Sequence, residues 1–190
     1  MILVSACLLG QLVRYNGDGC AQELLTAPEV RKHLVPICPE CAGGLSTPRP
    51  PAEIQGAGGG SGVWQGTAKV INNIGQDVTE AYCAGAQEAL QITRTQPITA
   101  AIFKERSPSC GTHAIYDGSF SGRKLAGKGV AAAALAQAGI ALYSEEELTP
   151  ELIKHLLEQD KRSTQNLILY LHNKNASAAS NAYSRSVFPH

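Results

Sequence analysis

At 190 residues, 44% of them hydrophobic, the chain is long enough to bury a substantial core and short enough to do so as one domain. Its sixteen basic and sixteen acidic side chains cancel, so no global charge draws it to a phosphate backbone or an anionic membrane, and nucleic acid is a poor partner. No apolar run approaches membrane-spanning length, and Met1-Ile2-Leu3-Val4-Ser5-Ala6-Cys7 lacks the basic head and long apolar body of a signal peptide, which points to the cytoplasm. In that compartment Cys7, Cys20, Cys38, Cys41, Cys83 and Cys110 are expected as thiols, metal ligands or catalysts rather than disulfides.

In chain order, residues 2–6 form a short apolar run that enters Cys7-Leu8-Leu9-Gly10, the pattern of a buried first strand opening into a loop. Residues 14–18 make a polar turn, and Glu23 to Leu34 carries a loose helical pattern with Pro28 at a helix start. A second strand, 34–38, delivers Cys38 into Pro39-Glu40-Cys41-Ala42-Gly43-Gly44. Pro39 fixes its own φ and biases Cys38 toward an extended backbone, while the two glycines admit geometries that side chains forbid.

The run Gly56 to Gly62 is too glycine-rich for regular structure. It reads as a flexible loop in preference to a phosphate loop, because no Lys-Ser/Thr follows it. Asp77 or Thr79 caps a helix over about 78–95 whose Tyr82, Ala86, Ala89 and Leu90 form an apolar stripe, with Cys83 beside it as core packing. A third strand, 98–103, leads into Lys104-Glu105-Arg106-Ser107-Pro108-Ser109-Cys110-Gly111. An alanine-rich helix over 129–137, a fourth strand over 139–143 and a capping box of Ser144 with Glu147 opening a last helix to about 159 complete the pattern.

Strands alternating with helices imply an α/β, Rossmann-like three-layer fold, with a mainly parallel sheet, helices on both faces and ligands beyond the carboxyl ends of the strands. Cys7, Cys38 and Cys110 all fall at such ends. Residues 161–190 break the rhythm and are expected as a peripheral extension, partly disordered or interface-forming, on a domain of residues 1–160.

Three converging thiols suit a zinc site, an iron-sulfur site or inert packing, and a site with three protein ligands keeps a coordination position for water or substrate. Cys38 and Cys41 also form a C-x-x-C pair, which reads as a redox dithiol, half a zinc site, or one functional thiol beside a bystander. His113 reads as a polar core or surface residue.

Ser5-Ala6-Cys7-Leu8-Leu9-Gly10, Cys38-Pro39-Glu40 with Gly43-Gly44-Leu45 and Pro48-Arg49, Gly75-Gln76-Asp77-Val78-Thr79, and Lys104 to Gly111 resemble the DUF523 family, which includes thiouracil desulfurases, in order over roughly residues 1–145. The resemblance implies a non-redox enzyme that removes sulfur from a thiolated pyrimidine such as 2-thiouracil, giving uracil and hydrogen sulfide. It also implies a 4Fe-4S cluster held by Cys7, Cys38 and Cys110, with Glu40 and Ser107 in catalysis. Cys41 departs from the family, which has an aliphatic residue there.

In that chemistry a free iron polarises the thiocarbonyl, Glu40 takes a proton from water, and Ser107 donates a hydrogen bond to the pyrimidine. Each residue also has a plainer reading: Glu40 pairs with Arg49 or caps its loop, and Ser107 starts the turn at Pro108. The function of a different class is a non-catalytic zinc or iron-sulfur module sensing redox state through Cys38 and Cys41. A third is a nucleotide binder using the glycine run.

Overall fold

The computed structural model describes residues 1–162 and Gln165. A central sheet of four parallel strands runs in the order β2-β1-β5-β8, and two antiparallel pairs, β3-β4 and β6-β7, stand beside it. The strands are β1 (Ile2–Ser5), β2 (Leu34–Ile37), β3 (Ala52–Gly56), β4 (Ala68–Asn72), β5 (Ala100–Phe103), β6 (Ala114–Tyr116), β7 (Lys124–Ala126) and β8 (Ala141–Ser144). The helices are α1 (Glu23–Thr26), α2 (Pro28–Arg31), α3 (Pro39–Ala42), α4 (Gly59–Gln65), α5 (Thr79–Thr95), α6 (Val130–Gln137) and α7 (residues 150–162).

Alternation along the central strands sorts the core into two faces, as the pleat requires. Leu3, Ala101 and Phe103 pack with Tyr82, Ala86 and Ala89 of α5 and with the buried alanines of α6. Ile2, Val4, Ala100 and Ile102 turn to the other face, onto Leu25 and Val30 of α1 and α2 and Ile153 and Leu156 of α7. Small residues on α5 and α6 let both helices lie close to the sheet. No helix among the described residues is long and apolar enough to cross a membrane.

Three local expectations are corrected. The pattern from Glu23 to Leu34 is two helical turns rather than one helix. Ala27 precedes a proline and is extended (φ −56°, ψ 131°), so the chain breaks there and restarts with Pro28 in the first turn. The glycine run is regular structure: it ends β3 and builds α4. A Cβ on Gly60 would sit 2.3 Å from the Gly129 carbonyl oxygen, so glycine is there because backbones touch. Its N–H donates to Lys128 O at 2.7 Å and is not free to cradle a phosphate.

The capping box of Ser144 and Glu147 is present, but it caps a 3-10 turn over Glu145–Glu147. Pro150 cannot sit inside a helix begun at residue 145, so α7 starts at that proline, with the Thr149 hydroxyl accepting the Leu152 N–H at 3.1 Å. Sequence reading also missed β3, β4, β6 and β7. The expected extension over 161–190 lies outside the described residues beyond Arg162, apart from Gln165. The 160/161 boundary falls within α7, where buried Asp160 accepts from the amino group of Met1 and pairs with His33 at 2.7 Å.

Candidate active site

Each cysteine-bearing loop leaves the carboxyl end of a central strand. After β1, Cys7 lies in a 3-10 turn, Ala6–Leu9. After β2, Cys38 is extended (φ −110°, ψ 104°), as a residue before proline must be, and α3 follows with Glu40 in its only turn. After β5 the chain runs through Lys104 to Cys110. Ser5 ties the first loop to the third, its hydroxyl accepting the Lys104 N–H at 3.0 Å.

The third loop is built around Glu105. Its buried carboxylate accepts from Thr112 Oγ1 at 2.5 Å, Ala114 N at 2.7 Å and His113 N at 3.1 Å. Burial pushes this carboxyl up, but the Thr112 hydroxyl and the two N–H groups outweigh it and hold the pKa down at about 2. From outside, Glu145 in the capped 3-10 turn accepts the Glu105 N–H at 2.7 Å and pairs with Lys104.

The loop after β2 is fixed by contact of backbone on backbone. A Cβ on Gly43 would lie 1.9 Å from Ala81 O, and one on Gly85 would lie 1.7 Å from Pro39 O, so α3 rests directly on α5. That contact carries Glu40 to Tyr82. Glu40 Oε2 accepts from Arg49 Nε at 2.7 Å and from the Tyr82 hydroxyl at 3.0 Å, and Oε1 accepts from Ser107 Oγ at 3.4 Å. A carboxylate offers about four lone-pair positions, so about one, on Oε1, is left for water or substrate. The pair is enclosed, with Glu40 13% and Arg49 6% exposed, so each ion depends on the other for compensation.

Ser107 serves its own loop as well: its Oγ accepts the N–H groups of Ser109 at 3.1 Å and Cys110 at 3.0 Å. The turn-forming reading and the site reading of Ser107 therefore describe one hydroxyl, which fastens the cysteine loop and presents its proton to Glu40.

These residues share one cavity of about 680 Å³, whose lining includes Cys7, Cys38, Cys110, Glu40, Arg49 and Ser107. Arg14, Lys104 and Arg106 also line it, as do Glu53 and Glu105, and Lys104 and Arg106 are paired with Glu145 and Glu146. Burial pushes all three thiols up, Cys38 to about 11 and Cys110 to about 12, and each is raised further by its sulfur neighbours. They therefore hold their protons at neutral pH and release them when a metal binds.

Cys20, Cys41 and Cys83 do not line the cavity. Cys41 Sγ sits against Thr47 Oγ1 at 3.5 Å and Arg49 Nη1 at 3.9 Å. Cys83 packs against the core edge. All six cysteines are free thiols. Among the described residues no three His, Cys, Asp or Glu side chains converge as ligands of a single ion do. The cavity lining thus brings together three soft sulfurs with Glu40 and Ser107. That set suits an iron-sulfur cluster with one iron left to substrate.

Of the residues that matter to this geometry, sequence reading missed the roles of Tyr82, Glu105 and the outer aromatics Tyr116 and Phe120. Tyr82 was visible only as part of an apolar stripe; the signal was its hydroxyl, which needs a partner when buried. His113 is mostly exposed, with Nδ1 3.3 Å from Glu105 Oε2, and lies outside the cavity lining.

A family model described as 2-thiouracil desulfurase matches residues 2–147. The uncharacterized protein YbbK of Bacillus subtilis (strain 168) is 51% identical over 148 residues, which is 78% of this chain and 97% of that protein. Among solved structures, the 4Fe-4S-dependent thiouracil desulfidase TudS matches with a TM-score of 0.71 at 44% identity, over 82% of this chain and 96% of that one.

Proposed function

Since the chain belongs to the 2-thiouracil desulfurase family, we propose that it is a desulfidase that removes sulfur from a thiolated pyrimidine such as 2-thiouracil, giving uracil and hydrogen sulfide, with a 4Fe-4S cluster held by Cys7, Cys38 and Cys110. The observation that carries the proposal is the shared cavity: three thiols from loops after central strands line it together with the hydrogen-bonded Glu40 and Ser107. The solved relative at 44% identity, TudS, supports the cofactor and the reaction class.

A 4Fe-4S cluster would be held by Cys7, Cys38 and Cys110 and would supply soft Lewis acidity toward a thiocarbonyl sulfur. The rest falls to the chain. Glu40 uses the free position on Oε1 to take a proton from water as its oxygen bonds to the thiocarbonyl carbon. As the carbon-sulfur bond breaks, the electron pair leaves with sulfur, Glu40 returns its proton to the sulfur so that it departs as hydrosulfide, and the proton still on the added oxygen passes to the carboxylate freed in that step, and from there to water, as the carbonyl of uracil forms. Arg49 and Tyr82 hold the other carboxylate oxygen, which fixes the direction of Oε1. Ser107 exchanges its bond to Glu40 for one to the pyrimidine and so orients the ring. Arg14, on the cavity lining, offsets part of the negative charge that three thiolates bring, Lys104 and Arg106 being already paired with Glu145 and Glu146.

The test is anaerobic reconstitution, followed by metal analysis and sulfide release on thiolated bases and nucleosides. The expected result is about four irons per chain and sulfide from thiolated pyrimidines. Stoichiometric zinc without iron uptake contradicts the cofactor. Tight cluster binding without turnover returns the chain to a non-catalytic thiol-metal or redox-sensing module.

A further inference from the structure

We infer that Phe120 is the stacking surface for the substrate ring, held over the cavity by Glu53, and that this contact makes the site select ring-bearing thiocarbonyl compounds. The inference rests on the desulfidase reading for what the ring belongs to, and on separate residues for its evidence.

Phe120 lies in the loop between β6 and β7 and adopts φ +57°, a left-handed conformation that is an outlier for a bulky side chain. It lines the cavity with Tyr116, yet is 38% exposed. An aromatic residue that is both strained and incompletely covered gains neither relaxed backbone nor full burial from the fold. Such strain persists only where the surroundings enforce it, and it concentrates at ligand clamps.

The enforcement comes from β3. Glu53 is buried, and its Oε2 accepts two backbone N–H groups of the loop, Gly118 at 2.9 Å and Phe120 at 3.0 Å. From the same strand, Gln55 Nε2 donates to Gly118 O at 2.9 Å. A Cβ on Gly118 would meet Ile54 O at 2.6 Å, so the loop lies flat on the strand. Asp117 accepts from the Ser119 N–H at 3.0 Å and from its hydroxyl at 2.5 Å, closing the turn from the other side. The hook that presents Phe120 is thus fixed by a strand outside the central sheet, and no cysteine-bearing loop takes part. What an exposed, fixed ring at a cavity wall offers a ligand is a flat apolar face. A pyrimidine covers such a face by stacking, whatever group it carries at the reacting carbon.

The experiment uses the anaerobically reconstituted holoenzyme. Sulfide release from 2-thiouracil gives KM and kcat, and calorimetry gives the affinity for uracil, which has the ring without the sulfur. Phe120→Ala is expected to raise KM and weaken uracil by about tenfold or more, with kcat changed far less and iron content unchanged; Phe120→Tyr should restore both. Glu53→Ala should shift KM in the same direction, and by far less in the Phe120→Ala background, because Glu53, which also lines the cavity, acts chiefly by holding the ring. Parental KM and uracil affinity in Phe120→Ala overturn the inference, as does a parent enzyme that binds neither uracil nor 2-thiouracil. If instead the parent binds uracil with this dependence on Phe120 but releases no sulfide, the stacking surface stands and the desulfidase reading falls.

Discussion

The inner and outer walls of the cavity are built by different kinds of structure. The inner wall comes from loops at the carboxyl ends of parallel strands, where Cys7, Cys38, Cys110, Glu40 and Ser107 are pinned by buried partners. The outer wall comes from the hairpin of β6 and β7, leaning on β3, and presents the half-exposed Phe120. The difference separates two tasks. In the proposed reading the groups assigned to sulfur and protons stand on loops tied by several hydrogen bonds, and the ring assigned to the rest of the substrate stands on a short two-stranded element hooked to β3 and joined to the third loop at one end by the Ala114 N–H on Glu105. Substitutions on the inner wall should therefore act on turnover or cluster loading, and those on the outer wall on KM.

The largest effect expected short of losing the cluster is that of Glu40→Gln. The amide nearly preserves shape and iron content but cannot take a proton, so kcat should fall by roughly a hundred- to ten-thousandfold. Parental turnover would leave Glu40 as the partner of Arg49 and nothing more. Arg49→Met comes next. It strands an enclosed carboxylate, and removing one partner of such a pair costs about 3–5 kcal/mol, read as a lowered urea midpoint together with lost activity.

Glu105 gives the acid limb. Its folded pKa of about 2 lies below the ordinary 4.5, so its contribution is complete above about pH 4.5 and is lost as pH falls toward 2. Linkage puts that contribution on the order of 2–3 kcal/mol. Glu105→Gln should flatten the fall of urea midpoint between pH 4.5 and 3, while an unchanged slope would assign the acid limb to another carboxylate. The smallest inner-wall effect is that of Ser107→Ala. It is expected to keep iron and lose part of the rate, since two backbone N–H groups and the substrate lose a partner while Glu40 stays.

Legibility in the sequence follows the same division. Short apolar runs showed the central strands, most clearly β1 and β5, whose burial on both faces leaves no polar alternation to confuse them. The site residues beside those strand ends were readable for that reason, helped by the family resemblance. Hairpin strands of three to five residues carry little periodicity, and lysine and glycine dilute what there is, so β3, β4, β6 and β7 passed unseen. The glycines of α4 misled because composition does not distinguish a residue chosen for freedom from one chosen for contact. Tyr82 and Glu53 were invisible as site residues: each owes its role to a partner more than 40 residues away in the chain.

The claim that the inner wall holds a cluster on Cys7, Cys38 and Cys110 is tested most directly by the two members of the C-x-x-C pair. Cys38 lines the cavity and Cys41, three residues on, does not, although both sulfurs lie against Val13 O, at 3.7 and 3.9 Å, and that of Cys41 also meets Thr47 and Arg49. Cys38→Ala and Cys41→Ala are prepared anaerobically and compared for iron content and sulfide release from 2-thiouracil. Cys38→Ala is expected to lose cluster and activity together and Cys41→Ala to retain both. Equal loss in the two variants, as a dithiol needing both sulfurs requires, would contradict that claim.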